Sequence, residues 1–246
     1  MRLYAIGDVH GHPDLLRHAL DRIEADRAQA GDHTAPVVQI GDLVDRGPDS
    51  RSVVQALMDL TERDARVTVL KGNHDNMFAR FLETPPQIDP RLRADLTWLH
   101  PRLGGLDTLA SYGVDPDQPV EQLHAEALRA VQKAHREFLN SLPLSVMHGD
   151  CLLVHAGIRP GIAIAQQDPS DLYWIRHEFL DDPRDHGPLV VHGHTPVERV
   201  EHHGNRLAID TGAAYGGPLS AVVIEGRQVF LLTPDGRQEL RPDAPA

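Results

Sequence analysis

The sequence predicts an α/β protein in which polar side chains cluster where the strands end. In the first third of the chain, short apolar runs rich in β-branched residues alternate with stretches that carry apolar residues at helical spacing. This alternation is typical of parallel strands joined by crossover helices. Several of the apolar runs stop at a glycine that is followed at once by Asp, Asn or His. In open α/β sheets, ligands bind at these carboxyl ends of the strands.

The composition favours an aliphatic core and an acidic surface. The chain has 246 residues, enough for one large α/β domain or two small ones, and 41% of them are hydrophobic but only 4% aromatic. Its 24 basic and 36 acidic side chains give a net charge of −12. Because such a chain repels a polyphosphate backbone, general nucleic-acid binding is disfavoured. A phosphate-bearing substrate would need a locally positive site.

The sequence favours a cytoplasmic protein that does not associate with membranes. Its single cysteine, Cys151, excludes an internal disulfide and fits a reducing compartment. The apolar run before Asp8 is too short for a signal peptide. No apolar run approaches the roughly 18 residues that a transmembrane helix requires.

Three strand–helix units open the chain. Strands are predicted at residues 3–6, 37–40 and 66–70, each followed by a glycine and polar side chains. Pro13 marks the start of the first helix, because proline is favoured at the first helical position. Ser50 is the predicted N-cap of the second helix.

The stretch 77–142 carries no strand signal, and we interpret it as a helical insertion that could cap the site. Because strands resume after it, we expect a single domain at residues 1–233 that contains this insertion. The Pro- and Asp-rich tail, residues 234–246, is expected to fray. The predicted helices of the insertion cover residues 77–82, 92–99 and 121–139.

The second half of the chain is predicted to be mainly strands. His148, Gly149 and Asp150 lie between two apolar runs and predict a hairpin. The predicted strands cover residues 145–147, 151–155, 189–191, 206–209, 219–225 and 228–232, and the last three are expected to be antiparallel.

Six side chains at the predicted strand ends form a candidate metal site. Oxygen and imidazole ligands suit Mn²⁺, Fe or Zn²⁺ better than Ca²⁺, and the absence of thiolates argues against a structural zinc site. Six ligands are too many for one open catalytic ion, but they fit two ions bridged by one carboxylate, which can generate a bridging hydroxide and hold a phosphoryl group. We therefore expect two divalent ions, with Mn²⁺ favoured and Fe or Zn²⁺ as alternatives. The six residues are Asp8, His10, Asp42, Asn73, His155 and His194.

Five short motifs in a fixed order resemble the phosphoprotein-phosphatase branch of the calcineurin-like metallophosphoesterases. The match is similar both to small bacterial and phage serine/threonine protein phosphatases and to symmetrical diadenosine tetraphosphatases. It implies a central β-sandwich of mixed sheets flanked by helices. The motifs are Gly-Asp-Val-His-Gly at 7–11, Gly-Asp-Leu-Val-Asp-Arg-Gly at 41–47, Gly-Asn-His-Asp at 72–75, His-Ala-Gly at 155–157 and Gly-His-Thr at 193–195.

The resemblance implies how the six candidate ligands divide between two ions. With Asp42 as the shared bridge, the first ion takes Asp8 and His10, and the second takes Asn73, His155 and His194.

The resemblance also implies roles for five further residues. His74 would be the general acid that protonates the leaving oxygen, and Asp45 would orient it. Arg46 and Arg176 would bind phosphate oxygens, and Tyr215 would overhang the substrate. A phosphoryl transition state needs charge stabilisation, in-line geometry and a proton for the departing oxygen, so these roles agree with the chemistry.

One position departs from the family pattern. The family usually carries Glu after the Asn-His pair, whereas this chain has Asp75. The carboxylate is kept but reaches less far by one methylene group. We expect activity to be retained. The sequence does not indicate which groups the Asp75 carboxylate contacts.

Two residues close to the motifs are expected to have structural roles only. His192 lies near His194 but is expected to pack or to support the ligands. Cys151 lies in an apolar strand and is expected to be a buried core residue.

Three functions remain open from the sequence. The leading one is hydrolysis of phosphoserine and phosphothreonine in proteins, and the second is symmetrical hydrolysis of diadenosine tetraphosphate. The third is a catalytically inactive binding scaffold, which the complete set of motifs disfavours. A polyphosphate needs extra cations around the metals, and the insertion offers four candidates: Arg80, Arg91, Arg93 and Arg102.

Overall fold

The computed structural model describes residues 2–242 and contains two mixed β-sheets that share an apolar core. The first sheet contains β1 (Arg2–Ile6), β2 (Val37–Gln39), β3 (Val67–Val69), β9 (Ala221–Glu225), β10 (Gln228–Thr233) and β11 (Gly236–Leu240). The second contains β4 (Ser145–His148), β5 (Cys151–Val154), β6 (Leu189–His192), β7 (Glu201–His202) and β8 (Arg206–Ala208). Their strand orders are β11-β10-β9-β1-β2-β3 and β4-β5-β6-β8-β7.

Helices flank this sandwich, so the predicted α/β class and the central pair of mixed sheets are confirmed. None of the helices within residues 2–242 is long and apolar enough to cross a membrane. The helices are α1 (Pro13–Ala30), α2 (Ser50–Arg63), α3 (Asn73–Phe81), α4 (Gly105–Ser111), α5 (Val120–Ala130), α6 (Lys133–Ser141), α7 (Asp171–Trp174) and α8 (His177–Leu180), with short 3₁₀ turns at Ile164–Gln166 and Ala213–Tyr215.

The alternation of side chains along β1 separates two cores. Leu3 and Ala5 belong to the cluster that contains residues of the second sheet, such as Leu153. Tyr4 and Ile6 belong to the cluster that includes apolar residues of α1 and α2. Because successive strand residues point to opposite faces, one strand contributes to both cores.

Each sheet contains three adjacent parallel strands, and this arrangement positions the site. β1 pairs parallel with β2, and β2 with β3, as the strand–helix units predict. In the second sheet β5 pairs parallel with β6, and β6 with β8. The parallel partner of β8 corrects the expectation that residues 206–209 join the antiparallel strands after 219. The hairpin of β4 and β5 is confirmed.

The helices of the insertion differ from the prediction in two places. The helix expected at 121–139 is two helices, because Val131 and Gln132 adopt extended backbone angles between α5 and α6. The segment 92–99 is not helical but forms separate turns, each closed by an i to i+3 hydrogen bond such as Leu96 N–H to the Arg93 carbonyl. These turns carry the chain around the site and place the Trp98 indole in its interior.

The N-cap of α2 is Asp49, not Ser50. The Asp49 carboxylate accepts a hydrogen bond from the Ser52 backbone N–H at 3.0 Å. Ser50 is the first helical residue, and its buried hydroxyl accepts from the Asp45 backbone N–H at 3.0 Å.

The expectation of a frayed tail is wrong for residues 236–240. They form β11, which pairs antiparallel with β10. Arg237 ties this strand to α1, since its guanidinium donates to both oxygens of Asp26, and it also donates to Glu225 at 2.9 Å. Residues 243–246 of the predicted tail lie outside the described residues.

Candidate active site

All six predicted metal ligands follow parallel strands whose carboxyl ends meet between the two sheets. The loops after β1 and β2 carry Asp8, His10 and Asp42, and Asn73 is the first residue of α3, which follows β3. The loops after β5 and β6 carry the two histidines. The side chains are all buried, with at most 6% of their surface exposed: Asp8, His10, Asp42, Asn73, His155 and His194.

Asp42 lies at the centre of this cluster. Its Oδ2 is 3.4 Å from His10 Nε2, and its Oδ1 is 3.4 Å from His155 Nε2. Ligand atoms of His10, Asp42 and His74 lie within 4.8 Å of one another, as do those of Asp42, His155 and His194. One carboxylate therefore faces two separate groups of nitrogen ligands.

Asn73 connects the two remaining imidazoles. Its Oδ1 lies 3.1 Å from His155 Nε2 and 2.8 Å from His194 Nδ1. The amide oxygen, which can ligate a cation, therefore points into the same space as both ring nitrogens.

Two of the histidines are oriented by backbone carbonyl groups. His10 Nδ1 donates to the Val44 carbonyl at 2.9 Å, and His155 Nδ1 donates to the Ile40 carbonyl at 2.9 Å. Each ring therefore turns its Nε2 toward Asp42. Metal-ligating histidines are commonly held in this way by a hydrogen bond from the opposite ring nitrogen.

Without a cation, a protonated His155 is the charged partner of the carboxylates in this cluster. Burial lowers the pKa of His10 to about 3, which keeps its ring neutral. Burial also disfavours a charged His155, but Asp42 and then Asp8 outweigh this effect and raise its pKa to about 10. Only neutral imidazole can ligate a metal, so an ion would replace the His155 proton as the partner of these carboxylates.

The residues fit a divalent cation, and Asp8 shows this most directly. Its Oδ2 accepts from the His194 backbone N–H at 3.0 Å, whereas its buried Oδ1 has no hydrogen-bond partner among residues 2–242. Burial, and then the nearby Asp210, raise the pKa of Asp8 well above its usual range. A buried carboxylate with a free oxygen beside two further carboxylates is costly unless a cation balances it.

Asp210 was missed from the sequence. It follows β8, is buried, and accepts a hydrogen bond from the Gly212 backbone N–H at 3.0 Å. Like the other site residues, Asp210 is a polar side chain directly after an apolar run. The sequence pattern groups this run with the antiparallel strands after residue 219, whereas β8 pairs parallel with β6.

Backbone strain is concentrated at this site. L-residues with positive φ are uncommon, and each costs of order 1–3 kcal/mol unless the surroundings fix it. Among residues 2–242, the non-glycine residues with positive φ are His10, Asp42, Asp45, Arg46 and His194.

Asp75 holds two of the site loops together despite its shorter side chain. Its Oδ2 accepts from the backbone N–H groups of Gly72 at 2.8 Å and Asp42 at 2.9 Å, and its Oδ1 from that of Leu43 at 2.9 Å. It is fully buried. Asp75 therefore makes three hydrogen bonds, of which two join the loop after β2 to α3 and one caps the start of α3.

His74 and Asp45 form a buried pair beside the candidate ligands. His74 Nδ1 lies 2.6 Å from Asp45 Oδ2. Burial lowers the pKa of His74 to about 3 and raises that of Asp45 to about 7. With Nδ1 engaged by Asp45, Nε2 is the nitrogen that remains for a substrate.

The two predicted phosphate-binding arginines contact the candidate ligands. Arg46 Nη1 donates to His10 Nε2 at 3.0 Å, and Arg176 Nε donates to His194 Nε2 at 3.1 Å. Tyr215, 67% exposed, lies over Arg46, whose Cζ is 5.2 Å from the ring centroid.

An open cleft of about 360 Å³ leads to His74 and Asn73. Its wall includes Trp174 and several leucines, and no carboxylate is among the described residues that line it. Four arginines line it: Arg46, Arg91, Arg93 and Arg176. In a chain of net charge −12, this is a local concentration of positive charge.

The remaining candidates lie away from this cleft. His192 is fully buried, with its ring centroid 5.2 Å from that of Phe179. Cys151 is buried in β5, where burial raises the pKa of its thiol to about 11. Both positions match the structural roles expected from the sequence.

Comparisons with known proteins bear on the family and the fold of this chain. The profile of one protein family, described as calcineurin-like phosphoesterase, matches residues 1–223. A symmetrical bis(5'-nucleosyl)-tetraphosphatase of Nitrosospira multiformis is 26% identical, over 94% of this chain and 95% of that protein. Serine/threonine-protein phosphatase 1 of Salmonella typhimurium is 27% identical, over 91% of this chain and 92% of that protein.

A solved structure shares the fold. The cold-active protein-tyrosine phosphatase of a psychrophilic Shewanella species superimposes with a TM-score of 0.62 at 20% identity, covering 98% of this chain and 80% of that one. At this identity the likeness bears on the fold alone.

Proposed function

This chain belongs to the calcineurin-like phosphoesterase family, and we propose from its site how it hydrolyses phosphoesters and which substrates it prefers. The observation that carries the mechanism is the position of Asp42, whose two carboxylate oxygens face different imidazoles. Such a carboxylate suits a bridge between two divalent ions.

We assign six residues to the two ions, for which Mn²⁺ is the favoured identity. The free Oδ1 of Asp8 and the inward Nε2 atoms of His10 and His155 support this assignment. When bound, the ions supply positive charge for the phosphoryl oxygens and an activated water molecule. Asp42 would be shared, Asp8 and His10 would help to hold the first ion, and Asn73, His155 and His194 would help to hold the second.

The other residues bind the phosphoryl group and deliver a proton. His74 lies within reach of the same cluster, but Asp45 engages its Nδ1 at 2.6 Å, so we assign it to proton transfer and not to a metal. It protonates the leaving oxygen, and Asp45 fixes its ring. Arg46 and Arg176 orient the phosphoryl oxygens, and Tyr215 overhangs the mouth of the site.

The relatives divide between two substrate classes. One is named as a tetraphosphatase of dinucleosides and the other as a serine/threonine protein phosphatase, at nearly equal identity. Hydrolysis of phosphoserine and phosphothreonine in proteins, the leading function from the sequence, therefore stays a candidate.

The cleft favours a substrate with several linked phosphates, such as a dinucleoside tetraphosphate. Of the four arginines that the insertion offers, Arg91 and Arg93 line the cleft beside Arg46 and Arg176. Among residues 2–242, the ion-pair partner of Arg93 is Asp95, and both side chains are more than 60% exposed, so a phosphate can displace this weak surface pair. A single phosphomonoester has no need of these extra cations.

Parallel assays test this preference. Purified protein with Mn²⁺ is given diadenosine tetraphosphate or a phosphothreonine peptide, and kcat/KM is measured for each. We expect the tetraphosphate to give the higher value and Arg93→Ala to lower that value about fivefold, which corresponds to about 1 kcal/mol.

Arg102→Ala is the matched control. It removes the same charge from the insertion at a position that does not line the cleft. A higher kcat/KM for the phosphopeptide, or equal losses in the two variants, would contradict the polyphosphate preference.

A further inference from the structure

The carboxylate of Asp45 is held mainly by the insertion and not by the sandwich. The indole Nε1 of Trp98 donates to Asp45 Oδ2 at 2.8 Å, and Thr108 Oγ1 donates to Asp45 Oδ1 at 2.7 Å. Both donors lie within the insertion, between α3 and the end of α4. Together with His74, they occupy both oxygens of a carboxylate that has no exposed surface.

The insertion also fixes the backbone beneath this carboxylate. The Asp45 backbone N–H donates to Thr108 Oγ1 at 2.8 Å, and the Arg46 N–H donates to the Gly104 carbonyl at 3.4 Å. A Cβ on Gly104 would lie 2.3 Å from the Arg46 nitrogen. Asp45 and Arg46 have φ values of 76° and 69°, so this strained pair is supported by tight contact with the insertion.

The two donors are themselves rigidly placed. The Trp98 ring stacks on Phe78 with centroids 5.1 Å apart, and it is 5% exposed. Thr108 is fully buried in α4, where its hydroxyl also lies 3.0 Å from Ser50 Oγ at the start of α2. Side chains fixed in this way can set the geometry of the group they contact.

We propose that Trp98 and Thr108 are positioning residues for the general acid. They fix the Asp45 carboxylate, which fixes the His74 ring, so the insertion controls how efficiently the leaving oxygen is protonated. This inference rests on the proposed role of His74. It gives the insertion a part in the reaction in addition to its part in the cleft.

Substrates whose leaving groups differ in basicity distinguish a role in positioning the general acid from a general loss of stability. Dinitrophenolate departs with little help from an acid, whereas phenolate needs a proton. We expect Thr108→Val and Trp98→Phe to lower kcat on phenyl phosphate about tenfold more than kcat on 2,4-dinitrophenyl phosphate, with KM little changed. Thr108→Ser, which keeps the hydroxyl, should restore the wild-type ratio of the two rates.

Tyr112→Phe is the matched control within the insertion. It removes a buried hydrogen bond of the same kind, from the Tyr112 hydroxyl to His135 Nδ1 at 2.8 Å, from a residue that is 6% exposed. For Tyr112→Phe, the ratio of kcat on 2,4-dinitrophenyl phosphate to kcat on phenyl phosphate should stay within about twofold of the wild-type value, because this hydrogen bond does not reach Asp45. Thermal unfolding of all variants shows that each is folded under the assay conditions.

His74→Asn separates failure of this inference from failure of the proposed function. It should change the ratio more than either positioning variant. If His74→Asn changes the ratio but Thr108→Val and Trp98→Phe do not, the insertion does not position the acid. If His74→Asn leaves the ratio of the two rates unchanged, His74 is not the general acid. The proposed role of His74 and the positioning role of Trp98 and Thr108 are then both contradicted.

Discussion

Asp75 shows how a single residue of this site can be tested for a purely architectural role. Its carboxylate accepts three backbone N–H groups from two loops. An asparagine in its place offers one acceptor oxygen, and its amide N–H₂ would face at least one of the three donors. A buried donor without a partner costs about 1–3 kcal/mol.

We therefore expect Asp75→Asn to lower the free energy of unfolding by about 2 kcal/mol, measured by urea denaturation at pH 7. Asp14→Asn, at an exposed position of α1, should change it by less than about 0.5 kcal/mol. Equal effects of the two substitutions would show that the three hydrogen bonds do not stabilise the loops.

At the same residue scale, the sequence identified the chemistry of the site but not its contacts. The six candidate ligands, His74 and Arg46 are predictable because their motifs stand at strand ends. Trp98 and Thr108 carry no local signal, since a tryptophan or threonine inside an irregular segment is more often a packing residue. Their contact with Asp45 crosses 53 and 63 residues of sequence, and no short-range pattern encodes it.

At the scale of elements, a partly buried ion pair that the sequence did not reveal ties the strand β11 to α1. Asp26 of α1 accepts from Arg237 of β11 and from the Tyr4 hydroxyl of β1 at 2.8 Å. Burial raises the pKa of Asp26, but Arg237 and Tyr4 outweigh it, so its pKa lies below the usual value. A carboxyl group with a lowered folded pKa stabilises the fold above its unfolded pKa of about 4, and this contribution is lost as the pH falls through the folded value.

We expect Asp26→Asn to lower the free energy of unfolding at pH 7 by about 2 kcal/mol, because it leaves a partly buried guanidinium without its carboxylate. The difference from the wild type should begin to narrow below about pH 4 and should be lost as the pH falls through the lowered pKa of Asp26 in the folded protein. Urea denaturation from pH 7 to pH 3 measures both the loss of unfolding free energy at pH 7 and its change with pH. Glu239→Gln, which removes one charge of an exposed ion pair on the same strand, is the control. If the difference in unfolding free energy between the wild type and Asp26→Asn stays constant with pH, the ion-pair account is contradicted.

The elements of the first third of the chain were predictable, whereas those of the insertion were not. Parallel strands and crossover helices follow from apolar runs and helical spacing, which are local. In the insertion, apolar residues at 92–99 suggest a helix, but the chain turns repeatedly so that Trp98 reaches Asp45. Tertiary contacts therefore override the local pattern there.

At the scale of the whole molecule, two sheets, each with three adjacent parallel strands, bring six strand ends to one place. The sequence predicts the strand ends and the apolar runs before them, but it does not show that β8 enters the second sheet between β6 and β7. Asp210 was missed for this reason. The composition also hides the arginine-lined cleft, because a net charge of −12 says nothing about where the basic residues lie.

The most direct test of the account is the number of metal ions that the whole protein binds. Protein stripped with EDTA and dialysed against Mn²⁺ is analysed by elemental mass spectrometry, with hydrolysis of an aryl phosphate measured in parallel. We expect two ions per chain, fewer than one in Asp42→Asn, and activity that EDTA abolishes and Mn²⁺ restores. A single ion in the saturated wild-type protein, or undiminished hydrolysis after metal removal, would contradict the two-ion site.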